Sequence, residues 1–475
     1  MTPKKYYAEE IGEFIARFRF DDLPPGVISK AKACILDNLG LVIGGSSSAA
    51  GRAVLQTVRE LGSAPETHVL RYGDRVAAPH AALVNGTMAH SNDYTDTILE
   101  SVVHAGPVVV PTALAEVERG AGGGRELIAA VVLGYEITGR VAAAVNSKPR
   151  MGHHAKGFHP TGTAGVFGAA ATSAWVRRLD AAKAAHALGI AGSSAAGLIE
   201  SFTGPTGAMT FRTHPGKAGH DGILAAMFAS HGLTGPASVF EGRDGFLRAY
   251  TEAEAYVPER LTRDLGTRFM IMDVAVKYHN GTHAVASSID ALQAILKDHA
   301  VEPDEIEEIV PHIPRMHSYI WDSTKETMYT PPTYEKAQMS LPYTLAVALL
   351  DGEVGVAQYR EARLRDSHVL ACARKVRPVV DEDIDRRMAA GQWPATVEIR
   401  LRGGKRLRAS VDYPRGSPQN LLSDAELEQK FRRLTDGILA KERADRVVGT
   451  VRTLEELSRC SELVASLCVA AGEAP

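Results

Sequence analysis

The chain has 475 residues, 45% of them hydrophobic and 23% charged, with a formal net charge of −3. That length exceeds one compact core, so two domains are expected. The near-neutral charge leaves no electrostatic footprint for nucleic acid or an anionic membrane surface. Four scattered cysteines, Cys34, Cys372, Cys460 and Cys468, form no C-x-x-C pair. They fit reduced thiols rather than a disulfide framework or a thiolate zinc site. No apolar run reads as long enough to span a bilayer, and acids and aromatics stand near the start, where a secretory signal would be apolar. A cytoplasmic protein is expected.

In chain order, the segment NGTMAHSNDYTDT, Asn85 to Thr97, is the first informative one. With His104 just after it, it sets His90, Asp93, Asp96 and Thr97 between apolar flanks. Buried acids and imidazoles are costly unless paired, so this is a site candidate. Gly120 to Arg125 reads as a loop, and residues 125–144 as a helix with Leu127, Ile128, Val131, Val132 and Tyr135 at three- and four-residue spacings. KGFHPTGTAG places His159 in a turn forced by Pro160 and Gly162. Asp180 is an expected N-cap for a helix over 181–195. FRTHPGKAGHDG carries Arg212, His214 and Lys217 to the start of another small-residue helix, where backbone donors and an ammonium together suit an anion.

The pattern changes after about residue 266. EIEEIVPHIP reads as a strand, and TVEIRLRGGKRLRASVDY as a hairpin. Val397, Ile399 and Leu401 alternate on one arm, Leu407, Ala409 and Val411 on the other, with Gly403-Gly404 at the turn. Ser423-x-x-Glu426 is a capping box that opens a helix. The expected fold is mainly α: a helical domain over 1–266, an inserted α+β lid over 267–414, and a helical return over 415–475. The cleft near Lys277 is the expected place for a site.

Several motifs fail. Gly120 to Arg125 does not meet G-x-G-x-x-G, and AGSSAAG lacks the spacing of a nucleophile elbow. His279 and His283 are four apart, but Gly281 lies between them and no carboxylate partner is evident, so no metal site is expected. What remains is a set of histidines and lysines suited to proton transfer beside a carboxylate.

NGTMAHSNDYTDT, His104, GFHPTGTAGVFGAA, PGKAGHDGILAAMFASHGLTGP, VFEGRDGFL and KAQMSLPYTLAVALLDGEV occur in an order that resembles the MmgE/PrpD (2-methylcitrate dehydratase) family over about residues 7–468. The family also includes cis-aconitate decarboxylase and iminodisuccinate epimerase. The resemblance implies a homodimer of two-domain subunits, catalysis without metal or organic cofactor, and a small polycarboxylate substrate. It implies catalytic roles for Asp93, His104, His159, Lys217 and Lys277. Thr97 and Tyr329 match motif positions as substrate-binding groups, and Arg212 is near enough to Lys217 to share that role. Plain structural roles stand beside these, as caps, ion pairs or solvated cations. A 2-methylcitrate dehydratase-like hydro-lyase is the first reading, with cis-aconitate decarboxylase-like or iminodisuccinate epimerase-like activity as alternatives. A non-catalytic dimer keeping the fold is the alternative of another class. Its support is the stretch after Lys277, where relatives commonly carry Pro and Cys and this chain has His279-Asn280-Gly281.

Overall fold

A computed structural model describes residues 5–147, 151–204, 207–252, 255–320 and 326–469. The fold is mainly α, with its buried apolar residues in two clusters. One gathers residues from Ala8 to Val276 and adds Leu427 to Leu467 from the end of the chain. The other lies between Ala284 and Leu407. The first core thus runs on past residue 266 and reaches the residue before Lys277.

Helices of the first core approach closely because their contact faces are glycine and alanine. A Cβ on Gly86, in the helix Ala78–His90, would stand 2.7 Å from the Gly216 Cα of the helix His214–Ser230. Only two glycines allow that crossing, since core packing leaves no slack for an added methyl. The helix Gly124–Asn146 opens on the backbone of Gly123, which donates to Glu126 Oε2 at 3.1 Å. The sequence pattern suggests one apolar face, yet every residue but Arg125 and Glu126 is buried. It is also long and apolar enough to cross a membrane, contrary to the sequence reading. Its most apolar stretch is wholly covered by protein here, and a buried ion pair within it, Arg140 Nε to Glu136 Oε1 at 2.6 Å, satisfies its charges. Asp180 caps its helix as expected by accepting from Lys183 N at 2.9 Å; that helix ends at Ala191, before a short 3-10 turn.

The second core packs the helix Ala286–Asp298 on a four-stranded sheet and the helix Leu341–Asp351 against that helix. The order is Val379–Val380, Ile306–Ile313, Ala395–Leu401, Arg406–Val411; the first pair is parallel and the others antiparallel. The hairpin register sets Val397 opposite Ala409 and Ile399 opposite Leu407, so the alternating apolar side chains share the buried face. Gly404 turns it with φ of +79°. Ser423 and Glu426 form the capping box of Asp424–Thr435, which returns to the first core. There Lys430 Nζ meets Asp37 Oδ1 at 2.6 Å in a buried ion pair that ties the end of the chain to the helix Pro25–Gly45.

Two strands of two residues, absent from the sequence reading, position the site. Thr97 pairs with Ala275 and Ile98 with Val274, antiparallel. This short ladder brings the segment after His90 against the segment that carries Lys277.

Candidate active site

Between the two cores lies a cavity of about 270 Å³. Six of its lining residues are histidines: His90, His104, His154, His159, His283 and His317. Asp93 and Lys277 supply the charges, and Phe202, Phe211, Met316, Met339 and Trp393 much of the apolar wall. His90 ends the helix Ala78–His90, and Asp93 follows with φ of +48°. A non-glycine residue in that region is strained and persists only where its surroundings hold it. Lys277 holds it here: its Nζ donates to Asp93 Oδ1 at 2.9 Å, the Asp93 carbonyl at 3.1 Å and the Gly281 carbonyl at 2.9 Å. Burial works to raise the Asp93 carboxyl, but Lys277, helped by Arg212 and His104, outweighs it and holds the group below its ordinary range.

His104 lies at the end of the loop leading into Gly106–Arg119. Its Nδ1 sits 2.7 Å from the Asp96 carbonyl and 3.0 Å from Thr97 Oγ1. A carbonyl only accepts, so Nδ1 carries the hydrogen and Nε2 keeps a free lone pair. The loop is anchored below by the Asp96 carboxylate, which accepts from Gly106 N at 3.1 Å and from the Tyr135 hydroxyl. His159 precedes the helical turn Pro160–Thr163, its backbone N–H donating to the Gly197 carbonyl at 3.0 Å. Its Nδ1 meets His214 Nδ1 at 2.9 Å, so one of the two nitrogens is protonated and the other accepts.

The structure brings Asp93, His104, His159 and Lys277 to one cavity and leaves four other expected residues off its lining. Lys217 is half exposed and turns its ammonium away, one turn along its own helix, to Asp221. Lys217→Ala is expected to leave turnover within about threefold of wild type, since an exposed i,i+4 pair is worth only a few tenths of a kcal/mol; steady-state kinetics checks this. Thr97 is buried behind His104 and reaches its Nδ1 rather than the cavity. Arg212 is buried behind the wall, donating to the His90 carbonyl at 3.2 Å and to Gln338 Oε1 at 2.5 Å. Tyr329 is buried, its hydroxyl 3.5 Å from the Val376 carbonyl. His279 bonds Asp290 Oδ1 at 2.8 Å, whereas His283 faces the cavity against Trp393, so the pair four residues apart is divided between different surroundings.

Sequence reasoning noted His90 but gave it no role, and passed over His154, His317, Trp393 and the two phenylalanines. Only the composition of the segment signalled His90. The others come from four distant places in the chain, and no spacing connects them.

Burial, then the charge of Lys277, pushes His104 down to about 4, against the pull of Asp93 and the Asp96 carbonyl. Burial likewise lowers His214 to about 4 and His153 to about 3, and takes His90 and His159 well below the ordinary histidine value. Between about pH 4 and 6.5 the unfolded chain therefore binds protons that these folded imidazoles refuse. Their contribution to stability is complete above about pH 6.5 and is lost as pH falls toward 4, at about 1.4 kcal/mol per imidazole per pH unit inside that window. Asp96, raised to about 6 mainly by burial, acts in the opposite sense but is outnumbered. Urea unfolding midpoints should accordingly drop steeply from neutral pH to about pH 5.

Buried imidazoles and an ion-paired lysine lining one cavity, between a helical core and an α+β core, have the character of an enzyme active site. Residues 9–259 match the MmgE/PrpD N-terminal domain and residues 279–456 the MmgE/PrpD C-terminal domain. Similar proteins include cis-aconitate decarboxylases of Mus musculus (28% identical, covering 97% of this chain and 93% of the relative) and Homo sapiens (28%, covering 98% and 95%). The cis-aconitate decarboxylase-like protein oryM of Aspergillus oryzae is 24% identical, covering 98% of both chains. The chain belongs to the MmgE/PrpD family and is an enzyme of the lyase class.

Proposed function

We propose that this lyase moves a proton at the carbon beside a carboxylate of a small polycarboxylate. The observation that carries the reading is the convergence of His104, His159, Asp93 and Lys277 on one cavity. Lys277 attracts a substrate carboxylate by its charge at the cavity wall, while its three N–H donors stay on Asp93 and Gly281. The free lone pair of His104 Nε2 is the base, and His159, relayed to His214, handles the second proton. An anionic substrate favours the imidazolium form, which moves both histidines toward the pH at which they exchange protons.

Two bond cleavages use these same groups. In a dehydration, the C–H pair becomes a C=C bond as its proton passes to His104, and the hydroxyl leaves as water with a proton from His159. In decarboxylation of an unsaturated acid, the bond to one carboxylate breaks and its pair forms a new C=C bond. The former double bond then takes a proton from an imidazolium. Dehydration of the 2-methylcitrate type is the reading from the motifs; the full-length relatives named as cis-aconitate decarboxylases weigh toward the second.

The deciding experiment incubates the protein in D₂O with 2-methylcitrate, cis-aconitate and iminodisuccinate and follows each by NMR. Water loss with a new vinyl signal identifies a hydro-lyase, and carbon dioxide release a carboxy-lyase. Deuterium exchange on an intact skeleton identifies an epimerase. Folded protein that transforms none of them would overturn the proposal.

A further inference from the structure

We infer that His90 is a direct substrate ligand, its Nε2–H donating to a carboxylate oxygen of the bound acid; the inference rests on the polycarboxylate reading above. Three observations carry it. The ring centroids of His90, His104 and His159 form a nearly equilateral triangle with sides of 5.3, 6.1 and 6.2 Å, and all three rings line the cavity. His90 is therefore as close to the reacting space as the two histidines given proton-transfer roles.

The second observation is what its nitrogens do. His153, equally buried, bonds the Tyr250 carbonyl through Nδ1 at 2.8 Å and Thr163 Oγ1 through Nε2 at 2.6 Å. His90 instead makes one ring hydrogen bond among the described residues, Nδ1 to Thr95 Oγ1 at 3.2 Å, and its Nε2 has no protein partner. A ring nitrogen on a cavity lining with no protein partner is free to meet a ligand or water.

The third is rigidity. Arg212 Nη1 and the Asp93 N–H both donate to the His90 carbonyl, at 3.2 and 3.3 Å, and the Phe211 ring stands edge-on to the imidazole at 5.9 Å. The helix end is pinned and the ring has a wall behind it, which is the preorganisation a binding group needs. When the Thr95 hydroxyl donates into Nδ1, Nε2 carries the hydrogen. His90 then donates where His104 Nε2 accepts, so adjacent imidazoles divide anchoring from proton removal.

The test uses the full chain and tricarballylate, a saturated tricarboxylate with no double bond or hydroxyl to react. By calorimetry at neutral pH, His90→Asn should bind it at least roughly tenfold more weakly than wild type, as loss of a hydrogen bond to a charged group implies. Thr95→Val keeps the ring but removes the hydroxyl that sets its tautomer, and should fall between the two. In histidine-selective ¹⁵N spectra of the wild-type protein, the His90 Nε2 signal should move as tricarballylate is added. Unchanged affinity in both variants, each melting as wild type does, or a His90 signal that stays still at saturation, overturns the inference and leaves the polycarboxylate reading intact. Wild-type protein that neither binds tricarballylate nor transforms any of the three acids overturns both.

Discussion

His104→Gln is expected to lower turnover by roughly 10²–10⁴ while leaving the fold and the binding of an unreactive tricarboxylate nearly unchanged. Glutamine retains a side-chain donor to reach the Asp96 carbonyl, which His104 Nδ1 meets at 2.7 Å. What it lacks is the basic Nε2 lone pair. The loss should therefore appear in kcat, with KM little altered, because a proton transfer is made only in the transition state. Stopped time courses with the acid identified by NMR measure this directly. Turnover within threefold of wild type would remove His104 from the mechanism. Thr97→Val is a useful companion, since the hydroxyl lies 3.0 Å from the same Nδ1 but off the cavity lining.

Lys277→Met should cost both activity and stability. The substitution leaves the buried Asp93 carboxylate without its ammonium partner, and breaking a buried pair from one side costs about 3–5 kcal/mol. Asp93 also loses one of the contacts that hold its backbone at φ of +48°, so its loop should loosen. Adding Asp93→Asn removes the stranded charge. The double variant should recover much of the lost stability and none of the activity, because neither ammonium nor carboxylate remains in the cavity. Urea denaturation of the two single variants and the double variant gives the coupling. A Lys277→Met protein as stable as wild type would mean that the Asp93–Lys277 pair does not hold this junction together.

Much of this protein could be read locally. The hairpin over Ala395–Val411, the Ser423–Glu426 box and the Asp180 cap each rest on residues a few positions apart, and such interactions form wherever the segment is placed. The cluster from Asn85 to His104 was legible for a similar reason: acids and imidazoles between apolar flanks need partners wherever they are buried. Asp93 and His104 do line the cavity.

Other features were decided by distant parts of the chain. Val274–Ala275 is too short to show a period, and it is a strand only because Thr97–Ile98 lies beside it. The helix Gly124–Asn146 has charges enough for one polar face, yet neighbours cover all of it beyond Glu126 and leave Glu136 and Arg140 paired inside. Lys217 sits in a motif that suits anion binding, but the helix start that positions Gly216 against Gly86 turns the next side chain outward to Asp221. His90 gained its place because two other histidines, fourteen and sixty-nine positions onward, fold in against it. By itself the sequence determined the residue types, the local elements and the family, since those depend on composition and short spacing. Which side chains face the cavity was decided only by tertiary packing, because a side chain's direction depends on helix rotation and on neighbours that no local pattern specifies.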